Sequence, residues 1–314
     1  MSGLEQIEAK LGSGPDRARA IVAEIYGPGA HFAVADASGV RLDSVWEVNA
    51  AEQPTFTGAL QAFAARTKTS LAQCPLAICA AGAVKPDVIR ITNGSWFVSR
   101  AGLCAVTGGE VLLLNDVAAM AWATADAPRH ACKPIGAGLA ASGGRPQVIL
   151  WVGSGVGAAA LVRDGDRVAR VIDTEAGHVS FAAATPEEWA VSEQLRRIHG
   201  HCSAERIIGL SVPTSTRIEL PAGIVIADLQ LGALASLAGD LVLAYAAWGG
   251  LFLAGPVAER LSDGSRAARF RARFAAKGRM RKLLDTTPIW LLSERYLALR
   301  GALAALRAQQ SSAA

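Results

Sequence analysis

Residues 109–116 read GEVLLLND, an apolar run that stops at an amide, Asn115, and a carboxylate, Asp116. The consecutive apolar residues from Val111 predict a buried strand of a parallel sheet. Ligand sites in open α/β sheets form beyond the carboxyl ends of the strands, so Asp116 is well placed to remove a proton from a hydroxyl. The alternative interpretation is a turn or a helix cap. The stretch predicts an α/β protein. It leaves open whether Asn115 and Asp116 serve chemistry or only form a turn or a helix cap.

Length and composition indicate a well-packed protein with two domains. A chain of 314 residues exceeds one comfortable hydrophobic core. Hydrophobic residues make up 51% and charged residues 18%, which excludes a disordered chain. The formal charge of +4 is spread along the sequence. Its densest basic cluster, from Arg266 to Lys282, alternates arginine with alanine and phenylalanine and predicts one amphipathic helix over 265–284, so no nucleic-acid partner is expected.

The cysteines and the N-terminal residues predict a cytoplasmic location. The five cysteines form no CxxC motif and no Cys/His ligand spacing, as expected of small buried side chains in a reducing compartment. Residues 1–19 are polar and charged, unlike a signal peptide. No apolar run approaches the ~20 residues of a membrane helix. We therefore expect no membrane partner.

A strand–turn–strand pattern with a glycine-rich tip occurs in each half of the chain. The first has the tip YGPGA at 26–30, and the second has the tip GSGVG at 153–157. Two such hairpins predict two similar domains that face a cleft. The glycines and the Ser154 hydroxyl of the second tip suit a phosphate cradle, because successive backbone N–H groups can donate to an anion. A plain hairpin turn is the alternative.

Acidic and imidazole side chains occur at two further places. Glu175 and His178 are three residues apart and converge on one ligand if a turn holds them, a residue set suited to sugar hydroxyls. The alternative is an ordinary surface turn. Glu205 and Arg206 follow Ser203, which makes a good N-cap, so this pair also fits the start of a helix.

Seven motifs, taken together, resemble the bacterial glucokinases, which are ATP-dependent enzymes of the actin/hexokinase-like fold. In chain order they are 92–96 (TNGSW), 114–117 (LNDV), 153–157 (GSGVG), 175–178 (EAGH), 201–206 (HCSAER), 249–255 (GGLFLAG) and 274–279 (FAAKGR). The resemblance runs from about residue 21 to residue 307. The zinc-binding Cys/His cluster of the repressor-type sugar kinases is absent from the sequence, which favours the other bacterial glucokinase branch.

The resemblance implies an α/β, two-domain actin-like ATPase (ribonuclease H-like) fold with a cleft between the domains. The smaller domain is expected over 20–116 plus 293–310. The larger domain is expected over 117–292, with 1–19 as an N-terminal extension.

The resemblance also implies the roles of individual residues. Asp116 matches the catalytic base, which deprotonates the 6-hydroxyl of glucose for attack on the ATP γ-phosphate. The further sugar-binding positions are Asn93, Asn115, Glu175, His178 and Glu205. The ATP-binding positions are Glu24, Gly27, Gly29, Gly153, Ser154, Gly155, Gly157 and Gly255. Glu24 is expected to reach Mg²⁺ through water, and a homodimer is the family expectation.

The nucleotide side departs from the family pattern. The first phosphate loop of the family reads Asp-x-Gly-Gly-Thr-Asn, whereas residues 24–29 read EIYGPG. The Thr hydroxyl and the Asn amide have no replacement, and Pro28 has no N–H to donate. Pro256 replaces a glycine, and the segment between 206 and 249 is short for the family.

These features predict a glucokinase-like enzyme that uses ATP and Mg²⁺. Because the first phosphate loop is altered, a catalytically weak sugar-binding sensor or regulatory relative is the alternative. A third interpretation is a kinase for a related hexose or an amino sugar.

Overall fold

The computed structural model describes residues 20–82, 84–85, 87–91, 96–125, 132–136, 144–165, 167–209, 218–220, 223 and 225–313. Its internal contacts divide the chain into two compact units. Unit 1 comprises Met1–Ala119 and Tyr296–Ala314, and unit 2 comprises Met120–Arg295.

Both units contain strands and helices. The strands are β1 (Ala20–Tyr26), β2 (Gly29–Asp36), β3 (Gly39–Val40), β4 (Trp46–Asn49), β5 (Leu76–Ala80), β6 (Val84–Lys85), β7 (Val88–Arg90), β8 (Phe97–Ser99), β9 (Val111–Asn115), β10 (Cys132–Pro134), β11 (Gln147–Val152), β12 (Val156–Asp164), β13 (Arg167–Thr174), β14 (Gly250–Ala254) and β15 (Ile289–Leu292). The α-helices are α1 (Phe56–Thr67), α2 (Arg100–Thr107), α3 (Asp116–Thr124), α4 (Pro186–His199), α5 (Ala204–Ile208), α6 (Ile226–Ala244), α7 (Gly264–Phe274), α8 (Arg281–Asp285) and α9 (Leu297–Ala313).

The main sheet of unit 1 has the order β3-β2-β1-β5-β9, and β4 pairs with β2. Strands β1 and β2 form the predicted antiparallel hairpin, in which Glu24 lies opposite His31. Strands β1, β5 and β9 run parallel, with Glu24 beside Cys79 and Cys79 beside Leu114. The carboxyl ends of these three strands therefore share one edge, and Asp116 follows β9 there.

Side chains that alternate along β1 point to opposite faces of the sheet of unit 1, and each face is covered by other apolar groups. Ile21, Ala23 and Ile25 pack into an apolar cluster. In that cluster the ring of Phe32 stacks on the ring of Phe63 at a centroid distance of 5.4 Å. The C-terminal helix α9 contacts β1 and β5 and belongs to the same unit, although it comes last in the chain.

Unit 2 repeats this topology. Its sheet has the order β10-β15-β14-β11-β12-β13, with the predicted β11–β12 hairpin antiparallel and β11, β14 and β15 parallel. Each unit thus contains an antiparallel hairpin whose first strand begins a run of parallel strands. The recurring hairpins in the sequence correspond to this repeated arrangement.

The single helix predicted over 265–284 is wrong. Helix α7 ends at Phe274, a 3₁₀ turn covers Gly278–Met280, and α8 begins at Arg281. Gly278 has a φ of +55°, a left-handed conformation that interrupts an α-helix and that glycine adopts without steric cost. The arginine periodicity continued across this break and concealed it.

The expectation that no apolar run reaches membrane length also needs correction. Among the described residues, helix α6 has 19 residues and is long and apolar enough to pass a test of length and composition. Most of it is buried in unit 2, where Leu234, Ala238 and Val242 belong to the core. A buried core helix passes the same test, so α6 is weak evidence for a membrane span.

Candidate active site

The polar end of strand β9 is organised by the start of helix α3. The Asn115 side chain accepts a hydrogen bond from the N–H of Ala118 at 2.9 Å and donates one to the carbonyl of Gly82 at 3.2 Å. The cap interpretation is therefore confirmed for Asn115. Asp116 is the first residue of α3, and one of its oxygens accepts from the N–H of Val117 at 2.8 Å. The helix N-terminus favours a negative charge on this carboxylate.

The edge that carries Asp116 also carries Glu24. Cys79 lies in the strand between them, and its thiol is fully buried. Burial raises the pKa of Cys79 well above its ordinary value, and the charges of Glu24 and Asp116 raise it further. The predicted base and the predicted magnesium-side carboxylate therefore lie close to the same thiol within unit 1.

Glu24 has a neighbour that the motif comparison missed. Its Oε2 lies 3.5 Å from Nδ1 of His31, and both side chains are mostly buried. The His31 ring packs between Tyr26, at a centroid distance of 4.6 Å, and Tyr296, at 5.2 Å. The hairpin register could have identified His31, because a two-residue loop at 27–28 places it opposite Glu24.

Tyr26, in the segment that replaces the first phosphate loop, is hydrogen-bonded to a side chain of strand β4. The Tyr26 hydroxyl donates to Oε1 of Glu47 at 2.6 Å. Burial raises the pKa of Tyr26, and this hydrogen bond raises it further. A β-carbon at Gly29 would lie 2.2 Å from the carbonyl oxygen of Val48, whereas one at Gly27 would meet nothing within 4 Å. Close strand packing therefore explains the glycine at position 29.

In unit 2, the tip of the β11–β12 hairpin lies beside Gly255. The N–H of Gly153 donates to the carbonyl of Gly155 at 3.0 Å, and Val152 pairs with Val156. The hairpin alternative is confirmed as the local structure of 153–157, while its phosphate role stays a prediction. Gly255 has a φ of +93°, and a β-carbon there would lie 2.5 Å from the carbonyl oxygen of Val152. The predicted ATP-binding glycines of unit 2 are thus brought together.

Glu205 also contacts this hairpin. The N–H of Val156 donates to Oε2 of Glu205 at 3.0 Å. Glu205 lies in the first turn of α5, where Ser203 is the N-cap and accepts from the N–H of Arg206 at 3.4 Å. The helix-start interpretation is confirmed, and it presents Glu205 to the hairpin.

Glu175 precedes a 3₁₀ turn at Ala176–His178 and His178 is its last residue; the two side chains are exposed and 3.8 Å apart. This turn is connected to the segment before α5. Nε2 of His201 lies 3.2 Å from the carbonyl oxygen of His178, and the N–H of Ala204 donates to the carbonyl of Val179 at 3.0 Å. Contacts within unit 2 therefore bring the two sugar-side segments together. His201 was quoted only as part of a motif and given no role.

The predicted residues are divided between the units. Asn115 and Asp116 belong to unit 1, and Glu175, His178 and Glu205 belong to unit 2. Asn93 lies outside the described residues.

Comparisons with known proteins agree on one family. The glucokinase family model matches residues 21–211 and 224–309. A glucokinase from Saccharophagus degradans is 33% identical, with 90% of this chain and 97% of the relative covered. A glucokinase from Pseudomonas aeruginosa is 29% identical, with 91% and 94% covered.

Solved structures show the same fold. The crystal structure of a glucokinase from an Antarctic psychrotroph is 26% identical, covers 92% of this chain and 99% of its own, and has a TM-score of 0.75. A Streptomyces griseus ROK family glucokinase, solved with glucose and AMPPNP, has a TM-score of 0.58 at 17% identity and covers 93% and 100%.

The fold and the family match define an ATP-dependent sugar kinase of the two-domain actin-like ATPase class. The alignments with these glucokinases cover nearly the whole length of the relatives. The chain belongs to the glucokinase family.

Proposed function

We propose that this protein transfers the γ-phosphate of ATP to the 6-hydroxyl of glucose. The single observation that carries the proposal is the assembly of Glu175, His178 and Glu205 by backbone contacts of two adjoining segments in unit 2. Carboxylate and imidazole groups held in this way suit the hydroxyls of a hexose. The sugar-binding set is Asn93, Asn115, Asp116, Glu175, His178 and Glu205.

Asp116 acts as the general base. Its carboxylate takes the proton of the 6-hydroxyl while that oxygen forms a bond to the γ-phosphorus. The bond from phosphorus to the β,γ-bridging oxygen breaks, and ADP leaves. The location of Asp116 at the first turn of α3 supports this role, because the helix N-terminus favours the ionised carboxylate that a base requires.

The nucleotide is assigned to the hairpin 153–157 and to Gly255. Their mutual contact supports the assignment, because the backbone N–H groups of a glycine-rich tip can approach phosphate oxygens closely. Glu24 and Gly27 of unit 1 belong to the same proposal, and a β-carbon at Gly27 would meet nothing within 4 Å. Gly29 contributes the close packing of its strand.

Mg²⁺ fits this donor set only through a single carboxylate. The part of the chain that the structure describes contains no group of three or more His, Cys, Asp or Glu side chains suited to a metal. Nucleotide-bound Mg²⁺ keeps several waters and needs one or two carboxylates besides the phosphates, so Glu24 alone is compatible with it. When bound, the ion would neutralise charge on the β- and γ-phosphates.

The test is Asp116→Asn in an assay of ADP release across a panel of hexoses. The amide keeps the shape of the side chain and cannot take the proton, so turnover with glucose is expected to fall by ~10²–10⁴-fold. The glucose Kd from calorimetry is expected to stay within a few-fold of wild type. Near-normal turnover of this variant would exclude Asp116 as the base.

A sugar-binding sensor with impaired ATP binding is the second candidate. The observation that favours it is that residues 24–29 lack the Thr hydroxyl and the Asn amide of the family pattern, while Oε2 of Glu24 lies 3.5 Å from Nδ1 of His31. Titration of ATP at saturating glucose separates the candidates. Glucose binding without detectable binding of millimolar ATP would support the sensor. Saturable ATP binding with ADP release supports the kinase.

A homodimer stays a prediction of the family resemblance, and a cytoplasmic location stays a prediction from the cysteines and the N-terminal residues. Sedimentation equilibrium of the purified chain, with and without glucose, tests the first of them.

A further inference from the structure

The hairpin tip 153–157 and Glu205 form one packed contact in unit 2. Oε2 of Glu205 accepts from the N–H of Val156 at 3.0 Å. A β-carbon at Gly155 would lie 2.7 Å from the same oxygen. That separation is shorter than real β-carbon contacts, so a side chain at position 155 would displace the carboxylate or the hairpin. A side chain at position 155 therefore acts first on the orientation of the Glu205 carboxylate.

The carbonyl group of Val156 contacts the second sugar-side segment. A β-carbon at Gly177, between Glu175 and His178, would lie 2.1 Å from this carbonyl oxygen. The backbone of Val156 therefore touches Glu205 through its N–H and the turn at Ala176–His178 through its C=O. A shift of the hairpin tip would move both segments.

Helix α5 is tied to the hairpin at its other end as well. A β-carbon at Gly209 would lie 3.1 Å from the carbonyl oxygen of Ser154. The Gly209 N–H donates to the carbonyl of Glu205 at 2.7 Å, and its own carbonyl accepts from the buried Gln230 side chain at 3.1 Å. Glu205 is thus held at its carboxylate and through the end of its helix.

We infer that Gly155 and Val156 are positioning residues that couple nucleotide binding to sugar binding inside unit 2. This inference rests on the proposed function, in which the hairpin binds phosphates and Glu205 binds a sugar hydroxyl. Val156 holds one carboxylate oxygen of Glu205 and thereby orients the carboxylate toward a hydroxylated ligand. Phosphates that order the hairpin also order Glu205, and the sugar affects nucleotide affinity by the same factor.

The experiment compares the full-length wild type with Gly155→Ala. Calorimetry gives the glucose Kd with and without a non-hydrolysable ATP analogue, and steady-state kinetics give KM for glucose and kcat. The variant is expected to raise the glucose Kd by about tenfold or more, the effect of losing one oriented carboxylate contact. The ratio of the glucose Kd values without and with nucleotide is expected to fall toward one. KM should change more than kcat, because Asp116 is untouched.

Gly264→Ala is the matched control, because a β-carbon there meets nothing within 4 Å and its φ is ordinary. A second pair of variants covers poor folding of Gly155→Ala. Glu205→Gln keeps an oxygen that accepts from Val156 and should retain the nucleotide effect on the glucose Kd. Glu205→Ala should lose that effect.

Three results would overturn the inference. The first is a folded Gly155→Ala variant in which both the glucose Kd and the nucleotide effect on it are unchanged. The second is an equal nucleotide effect on the glucose Kd in the two Glu205 variants. The third is a wild-type protein that binds no hexose. A wild type that binds glucose and releases no ADP contradicts the proposed function alone. The glucose Kd values then decide the positioning role.

Discussion

At the scale of single residues, the replacement of the first phosphate loop is the most consequential departure of this chain from its family. Glu24 lies 3.5 Å from Nδ1 of His31, whose ring contacts two tyrosines. The carboxylate that would reach a magnesium-bound water therefore has an imidazole neighbour within its own hairpin.

If Glu24 serves the metal, Glu24→Ala is expected to raise the Mg²⁺ concentration for half-maximal ADP release and to lower kcat. His31→Ala removes the imidazole neighbour and should leave the Mg²⁺ requirement equal to wild type or lower. Magnesium titrations of the three proteins at fixed ATP provide the measurement. A Glu24→Ala protein with a lower Tm and an unchanged Mg²⁺ requirement would assign Glu24 to the fold alone.

The sequence alone was sufficient to predict the position of some residues and insufficient to explain others. Asn115 and Asp116 could be placed at the end of a strand because the apolar run and its polar stop are local. The reason for Gly29 could not be predicted, because the carbonyl that excludes a side chain belongs to Val48 in a different strand. His31 could have been predicted from the hairpin register, which places it opposite Glu24, but it belongs to none of the seven motifs.

At the scale of elements, helices α6 and α7 form a close contact that depends on a glycine. A β-carbon at Gly239 would lie 2.6 Å from the carbonyl oxygen of Phe274, whereas one at Gly232 in the same helix would meet Oε1 of Glu188 at an ordinary 3.5 Å. Arg273 on α7 also pairs with the buried Glu188 of α4 at 2.9 Å. Three helices of unit 2 are therefore held in register at this place.

Two alanine substitutions in α6 are expected to have opposite effects. Gly239→Ala forces the helices apart and should lower the free energy of unfolding by ~1–3 kcal/mol. Gly232→Ala should raise it by roughly 0.5–1 kcal/mol, because alanine has the better helix propensity and the space is available. Urea denaturation of both variants tests the pair, and a stabilised Gly239→Ala would contradict the close contact.

The start of α7 gives a prediction with a pH dependence. Asp263 caps the helix through the N–H groups of Ser265 and Arg266, and its hydrogen bond with the Ser265 side chain is the main reason that its pKa lies below its ordinary value. Stability from a lowered carboxyl pKa is present above the unfolded-state pKa and is lost as the pH falls through the folded-state pKa. Asp263→Ala should lower Tm at neutral pH, with a difference that shrinks in acid below about pH 4. A Tm difference independent of pH would contradict this reasoning.

The break between α7 and α8 shows why elements are harder to predict than their periodicity suggests. Arginine and apolar residues keep helical spacing across 265–284, but α7 already ends at Phe274 and the left-handed Gly278 lies in the break before α8. The hairpins were easier to predict, because the glycines at both tips, and Pro28 in the first, favour a turn.

At the scale of the whole molecule, unit 1 is assembled from distant parts of the chain. Helix α9 covers the sheet that begins with β1, and Leu299 in this helix is completely buried. The Cys79 thiol lies 3.9 Å from the carbonyl oxygen of Ala298 and is therefore a natural reporter of the docking of α9.

Leu299→Ala should cost ~2–5 kcal/mol and loosen α9. Labelling by a thiol reagent, resolved by mass spectrometry, is expected to become faster at Cys79 than at the buried Cys202 of unit 2. Ser312→Ala, at an exposed position of the same helix, is the control and should leave both rates unchanged. Equal acceleration at both cysteines would show that α9 does not protect unit 1 selectively.

The split of unit 1 has a consequence for protein synthesis. Unit 2 is one continuous stretch, whereas the strands of unit 1 are made first and must wait for α9, the helix that packs on them. At typical elongation rates of ~5–20 residues per second, that wait is on the order of ten seconds. During it the nascent chain presents the uncovered apolar face around Cys79, a surface for chaperones that disappears only when translation has passed Leu297 and its helix.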